Sequence, residues 1–134
     1  MLKNRSMPSS SVIPVLGYAD VRGAVAWLTA AFGFSEQLRI ADHRSQMSFG
    51  DGSLVVVQSE GRSIDLSHSV MVRVTDLDAH FARAKAHGAS IVAEPASYPY
   101  GERQYTARDL GGHAWTFSQT IEDTDPLSWG GQLP

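Results

Sequence analysis

The sequence carries the same order of structural elements twice. Asp20 and Asp76 each occupy an N-cap position before an amphipathic helix, and they lie 56 residues apart. Gly33 and Gly88 end these helices and lie 55 residues apart. Apolar and alternating segments around both helices predict strands. The repeat therefore predicts an α+β fold of paired βαβββ modules, each with one helix on one face of its sheet.

The repeat also sets the expected boundaries. Residues 12–60 form the first module and residues 68–120 form the second. The polar segment 61–67 between them is expected to be a linker. Residues 1–11 are polar and lack the apolar core of a signal peptide, so we expect a disordered leader and a cytoplasmic location. Residues 121–134 form a C-terminal tail.

Composition limits the classes of function. The chain has 134 residues, no cysteine and a net charge of −3. A chain of this length is expected to form one domain with its own core. The absence of cysteine excludes a disulfide framework and a thiolate metal site. Mild negative charge argues against nucleic-acid binding, and no apolar run approaches the roughly 20 residues of a membrane span, so neither partner is expected.

Alternation along the strands sorts side chains between a helix side and an open side of each sheet. The side chains expected beneath the helices are Val70, Val72, Val74, Trp115 and Phe117. Those expected on the open side are Ile13, Leu54, Val56, Gln58, Arg73 and Thr116. A concave face that is partly apolar and carries a few polar groups is typical of a small-molecule site.

Three segments resemble one known family. Phe32-Gly33-Phe34 resembles the end of its first helix, and Val74–Asp78 resembles its second strand-to-helix turn. Arg108–Trp115 resembles its closing hairpin, in which Leu110 replaces the usual proline. Over residues 13–119 the chain thus resembles the vicinal-oxygen-chelate superfamily of glyoxalases, bleomycin-resistance proteins and extradiol dioxygenases. This resemblance implies paired modules that form a concave mixed sheet with helices on its outer face.

Two further segments narrow the resemblance. Tyr100-Gly101-Glu102-Arg103 and Trp129-Gly130-Gly131 are similar to the glyoxalase-like sequences known as PhnB-like. Trp129 lies on the tail, where an apolar ring is expected to dock either on its own domain or across a dimer interface.

The resemblance also implies four metal-ligand positions on the open face. They fall on Ile13, Val56, Ser69 and Thr116, none of which has an imidazole or a carboxylate. We therefore expect no cofactor and, by analogy with metal-free members, a homodimeric protein that binds an antibiotic-type small molecule. Its cleft forms either within one chain or between two swapped chains. Whether it is an enzyme stays open, with the balance against catalysis.

The alternative is a metal-dependent lyase or dioxygenase with a divalent ion held by other residues. The candidate ligands are His68, His113, Glu102 and Gln58. His68 adjoins the Ser69 position, but a lone histidine lacks partner ligands. His113 follows the glycine turn, where a structural hydrogen bond is expected. His80 is expected on a solvated helix surface.

The residues expected to contact a ligand are Phe49, Arg73, Tyr98, Tyr100, Arg103 and Thr116. Arg103 either binds an anionic group in a bidentate manner or forms a surface ion pair. Arg73 on the open side either pairs with an acid or meets an anionic ligand. Tyr98 and Tyr100 combine aromatic surface with phenol donors and are expected to line the cleft.

Overall fold

The computed structural model describes residues 2–60 and 68–133, so the predicted linker at 61–67 lies outside the described residues. The first module comprises β1 (Val15–Tyr18), α1 (Val21–Trp27), which continues as a π-helical turn (Leu28–Phe32), β2 (Ser35–Ile40), β3 (Arg44–Phe49) and β4 (Gly52–Gln58). The second comprises β5 (Val70–Arg73), α2 (Leu77–Ala86), β6 (Ser90–Ser97), β7 (Glu102–Arg108) and β8 (Ala114–Thr120). A 3₁₀-helix (Pro126–Trp129) follows in the tail.

Each module folds into its own four-stranded sheet. The strand orders are β1-β4-β3-β2 and β5-β8-β7-β6, with the first strand of each module parallel to the last. The Asp20 and Asp76 side chains cap α1 and α2 by accepting hydrogen bonds from Gly23 N and Ala79 N. The predicted α+β fold of paired βαβββ modules is confirmed.

The helix sides of the two modules share one hydrophobic core. Phe32, at the end of the π-helical turn, packs against Phe117 and Trp115 of the second module with ring centroids 4.8 and 5.4 Å away. Phe34 also packs against Trp115, at 5.4 Å. The predicted helix-side positions Val74, Trp115 and Phe117 all lie in this core. The modules are thus packed through their helix sides, and the opposite faces of the sheets are turned away from the core.

One prediction of orientation was wrong, and it concerns β4. Val56 lies opposite Leu16 and Ser45 and is fully buried in the shared core. The row expected on the open side, Leu54, Val56 and Gln58, therefore belongs to the helix side. Val55 lies opposite Val15 and faces the open side. Alternation could not show this, because residues 54–57 are all apolar.

His80 was also misplaced by the sequence pattern. It was expected on a solvated helix surface, but its ring lies between the modules. Nε2 is 3.0 Å from the carbonyl oxygen of Phe32, and Nδ1 is 2.6 Å from the hydroxyl of Tyr105. Burial, together with the charge of Arg83, outweighs the hydrogen bond to Phe32 and lowers the pKa of His80.

The N-terminal segment, for which the sequence predicts disorder, runs along the open side of the first sheet. Gln46 Nε2 donates to Ser6 O at 2.9 Å, and the hydroxyl of Ser10 lies 2.9 Å from that of Ser53. Gln46 and Val55 are consequently buried although they are on the open side. Within residues 2–60 and 68–133, no helix is long and apolar enough to cross a membrane.

Candidate functional site

The open side of the second sheet carries a connected set of polar side chains. On β7 and β8, the Ser118 hydroxyl donates to Glu102 Oε1 at 2.7 Å and accepts from Gln104 Nε2 at 3.0 Å. The Tyr100 hydroxyl donates to Gln104 Oε1 at 3.1 Å. The strand register places these groups on one face because Gln104 lies opposite Ser118. Tyr100, just before β7, is thereby joined to the carboxylate of Glu102.

Thr116 and Arg73 lie on the same face. Thr116 is opposite Thr106, and their hydroxyls are 2.9 Å apart. Arg73 of β5 pairs with Ser118 of β8, along the edge of β8 that does not pair with β7. Burial acts to raise the pKa of Glu102, but hydrogen bonds from Ser118 and Thr120 and the charge of Arg73 outweigh it and lower the pKa. Glu102 is therefore an ionised carboxylate at neutral pH.

Aromatic rings border this polar set. Tyr98 and Tyr100 are stacked, with centroids 5.4 Å apart and planes 5° apart. Trp129 from the tail packs on Tyr100, with centroids 5.4 Å apart and planes tilted by 59°. Tyr98 and Trp129 remain 38% and 44% exposed, so ring surface is available to another molecule.

The tail reaches this face through the turn before β7. Gly101 has φ +83°, and its carbonyl oxygen accepts from Ile121 N at 2.9 Å. A Cβ at Gly101 would lie 2.3 Å from the carbonyl oxygen of Glu122, so only glycine permits this approach. The close contact of these two chain segments thus brings Trp129 beside Tyr100.

A cavity of about 880 Å³ lies elsewhere, where β5 and the start of α2 face the hairpin between β3 and β4. Phe49 and Arg73 line it together with His80, Arg83 and Met71. Among the predicted ligand residues, Arg73 therefore belongs to both the cavity and the open side of the second sheet, whereas Phe49 lines the cavity.

Arg103 faces the opposite way from the other candidates. It lies on the helix side, where its guanidinium donates to Asp78 Oδ1 of α2 at 3.1 and 3.2 Å and to Ser97 Oγ at 3.3 Å. The structure thus brings together Arg73, Tyr98, Tyr100 and Thr116 on the open side of the second sheet and separates Arg103 from them.

The strand register corrects one of the positions implied for metal ligands. Val15 pairs with Val55 in the first sheet as Met71 pairs with Thr116 in the second. Val55, and not Val56, is therefore the counterpart of Thr116. The complete set is Ile13, Val55, Ser69 and Thr116, which offers two neutral hydroxyls and no imidazole or carboxylate. These residues do not fit a divalent metal ion, which needs several nitrogen or oxygen ligands and usually a charged one.

The alternative ligands are also dispersed. His113 Nε2 donates to Gly17 O at 2.7 Å, and Gln58 Nε2 donates to Ala19 O at 2.5 Å, so both side chains have structural partners. His68 is exposed just before β5. Over residues 2–60 and 68–133, no group of three or more His, Cys, Asp or Glu side chains is placed to hold a metal ion.

The polar set has a signal in the sequence, although most of its members were not among the residues predicted to contact a ligand. Glu102, Gln104 and Thr106 alternate along β7, and Thr116 and Ser118 alternate along β8. These two polar rows predict one hydrophilic face once the strands are paired. The contact between the tail indole and the tyrosine before β7 has no such signal, because it depends on the path of the tail.

A family model described as the Glyoxalase/Bleomycin resistance protein/Dioxygenase superfamily matches residues 13–117. The chain belongs to this superfamily. The predicted superfamily is thereby confirmed, while the narrower PhnB-like resemblance stays a prediction. No match was found among curated proteins.

Several solved structures resemble the fold of this superfamily member. TioX from Micromonospora sp. ML1 is 35% identical, with a TM-score of 0.70 over 87% of this chain and 100% of TioX. A glyoxalase/bleomycin resistance protein/dioxygenase family enzyme from Burkholderia phytofirmans PsJN is 15% identical, with a TM-score of 0.72 over 81% of this chain and 97% of that chain. The fosfomycin resistance protein FosX from Listeria monocytogenes is 15% identical, with a TM-score of 0.70 over 84% of this chain and 94% of FosX. The latter two share the fold.

Proposed function

We propose that this protein is a metal-independent small-molecule-binding protein that works as a homodimer in the cytoplasm. The observation that carries the proposal is the open side of the second sheet. There, exposed aromatic rings lie beside a hydrogen-bonded polar set, while the positions implied for metal ligands carry aliphatic or hydroxyl side chains. Such a face can hold a ligand by ring stacking and hydrogen bonds without a metal ion.

The packing of the modules supports the dimer. Their helix sides share one core, so the open face of the second sheet is turned away from it and needs a further surface to close a cleft over it. β1 and β5 stand at the edges of their sheets, where Val15 and Met71 are 56% and 63% exposed on the open sides. A second copy whose first sheet faced this second sheet would cover both side chains and close the cleft.

The comparisons support an antibiotic-type ligand. The superfamily's description includes a bleomycin resistance protein, and FosX is a fosfomycin resistance protein.

Metal analysis and ligand screening of the same purified sample test the proposal. We expect no stoichiometric Ni, Zn, Fe or Mn by mass spectrometry. We expect aromatic antibiotics to raise the Tm, because a ligand that binds only the native state stabilises it. Stoichiometric metal in the native protein would overturn the metal-independent function. A panel of antibiotics that leaves the Tm unchanged would overturn binding, and sedimentation as a monomer would overturn the dimer.

A metal-dependent lyase or dioxygenase is the second candidate, and Glu102 is the observation that favours it. This ionised carboxylate is on the open side and would be a suitable oxygen ligand. In that case the protein retains metal, and Glu102→Gln releases it. Asp51→Asn, which changes an exposed carboxylate in the hairpin between β3 and β4, serves as the control and should leave the metal bound.

A further inference from the structure

We propose that Trp129, together with Tyr98 and Tyr100, forms an aromatic subsite for a flat, positively charged ring system. The inference rests on the proposed binding function and names the chemistry of one part of the ligand. Tyr98 and Tyr100 lie within residues 13–117, which match the superfamily model, whereas Trp129 lies beyond them.

The ring geometry favours a flat guest. Tyr98 and Tyr100 are parallel within 5°, and Trp129 is inclined to Tyr100 by 59°, so the three rings form a corner. The two outer rings, Tyr98 and Trp129, are both more than a third exposed. Such clustered aromatic surface offers stacking and edge contacts to a planar molecule.

The corner is held in place before any ligand arrives. Tyr100 is fixed through its hydroxyl to Gln104. Trp129 ends a 3₁₀-helix that Asp125 caps by accepting from Leu127 N at 3.1 Å. Gly131 N then donates to Pro126 O at 2.8 Å and closes the turn behind the indole. Because the rings are already positioned, binding requires little additional ordering.

The charge around the corner favours a cation. Tyr100 connects through Gln104 and Ser118 to the ionised Glu102. The tail adds exposed acidic side chains next to the 3₁₀-helix, namely Glu122, Asp123 and Asp125. Residues 109–134 contain neither Lys nor Arg. Arg73 on β5 offsets part of the charge of Glu102. A cation over an indole or phenol ring gains further electrostatic attraction.

Proflavine, a flat aromatic cation with its own visible fluorescence, is a direct probe. We expect the wild-type protein to bind it and Trp129→Ala to weaken binding about tenfold, which corresponds to roughly 1.4 kcal/mol and is within the range of stacking and cation–π contacts. The matched control is Leu127→Ala, which removes a 65% exposed side chain from the same 3₁₀-helix and should leave the affinity unchanged. Trp129→Phe should restore most of the affinity.

Two related probes test the charge and the ring separately. Cyclohexylamine, a cation without an aromatic ring, and 2-naphthalenesulfonate, an aromatic anion, should each bind at least about tenfold more weakly than proflavine, a difference of roughly 1.4 kcal/mol. Glu102→Gln should weaken proflavine binding and reduce its preference over the anion. Equal affinity for the aromatic anion would overturn the charge assignment.

The outcomes separate this inference from the proposed function. If wild-type protein responds to antibiotics while Trp129→Ala binds proflavine as well as Leu127→Ala does, the aromatic subsite is wrong and the binding function stands. If wild-type protein binds neither proflavine nor any antibiotic, both are wrong. Circular dichroism and the Tm of each variant show whether the fold is retained, and Trp129→Phe keeps the test valid if Trp129→Ala is destabilised.

Discussion

The hydroxyl of Tyr18 in β1 donates a 2.5 Å hydrogen bond to Oδ2 of Asp109, which lies 91 residues later in the turn between β7 and β8. Trp115 Nε1 donates to the same oxygen at 2.9 Å, and the backbone amides of Gly111 and His113 donate to Oδ1 at 2.9 and 3.0 Å. Burial, reinforced by Asp109, raises the pKa of Tyr18 well above its usual range. The family's hairpin signature therefore joins the two modules through one buried carboxylate.

Tyr18→Phe should destabilise the protein by about 1–3 kcal/mol, because it leaves a buried charged acceptor without one of its donors. The measurement is the free energy of unfolding from urea titration at neutral pH. Tyr98→Phe, at an exposed ring, is the matched control and should change that free energy by less than about 0.5 kcal/mol. Equal effects of the two substitutions would contradict the role of the Tyr18–Asp109 bond.

Gly111→Ala should disturb the same junction by steric contact. A Cβ at this position would lie 2.7 Å from Cδ1 of Tyr18, which is closer than side-chain carbons normally approach. We expect a loss of roughly 1–3 kcal/mol in unfolding free energy, as for overpacking in a core. Gly52→Ala is the control, since its Cβ would be 3.4 Å from the nearest atom, the carbonyl oxygen of Phe49. A Gly111→Ala protein as stable as Gly52→Ala would mean that the turn can move away from Tyr18.

His80 should make the stability of the module interface depend on pH. Burial and Arg83 lower its pKa below 6.5 in the folded protein, although the hydrogen bond to Phe32 acts in the other direction. The unfolded chain thus takes up the proton first as pH falls. Full stability is expected above the usual histidine pKa, with a loss of up to about 1.4 kcal/mol per pH unit as pH decreases towards the folded pKa.

Urea titrations from about pH 8 to about pH 5 would measure this linkage. In His80→Asn, the part of the pH dependence due to this imidazole should disappear. His43→Asn, in an exposed turn, should retain the wild-type slope. If the His80→Asn slope equals that of wild type, another group controls the acid sensitivity.

Removal of residues 2–11 should uncover the open side of the first sheet. Val55 is 2% exposed and Gln46 is 6% exposed, and both lie on the open side, along which residues 2–11 run. We expect faster hydrogen exchange in β3 and β4 and stronger binding of a hydrophobic dye, because an apolar face becomes accessible. Exchange in β7 and β8 is the internal reference and should stay the same. Unchanged exchange in both sheets would show that the segment does not protect the face.

The sequence predicted the fold well because its strongest signals are local. The N-cap aspartates, the glycines that end the helices and the valine row of β5 each depend on a few neighbouring residues, and the structure places them as expected. The predicted orientation of β4 was wrong because the local signal there is ambiguous. With residues 54–57 all apolar, only pairing with β1 and β3 decides that Val56 lies on the helix side.

The candidate site was less accessible to prediction because it depends on contacts between distant segments. The chemistry of Tyr98 and Tyr100 predicts their role from the sequence, but Trp129 acquires its place only when the tail meets Gly101. Alternation along β7 places Arg103 on the face opposite Glu102, but its ion pair with Asp78 forms only when α2 packs on the sheet. The position of His80 between the modules similarly depends on its contact with the carbonyl oxygen of Phe32 in the first module.

The segments outside the duplicated modules have a consequence for how such a protein diversifies. Residues 2–11 lie on the open side of the first sheet, and the tail after Thr120 lies on that of the second. The core that joins the modules tolerates few substitutions, because its side chains are closely packed. The terminal segments lie outside that core. In the binding function proposed above, these two segments are therefore where ligand preference can change by mutation, lengthening or exchange, while the core that joins the modules stays the same.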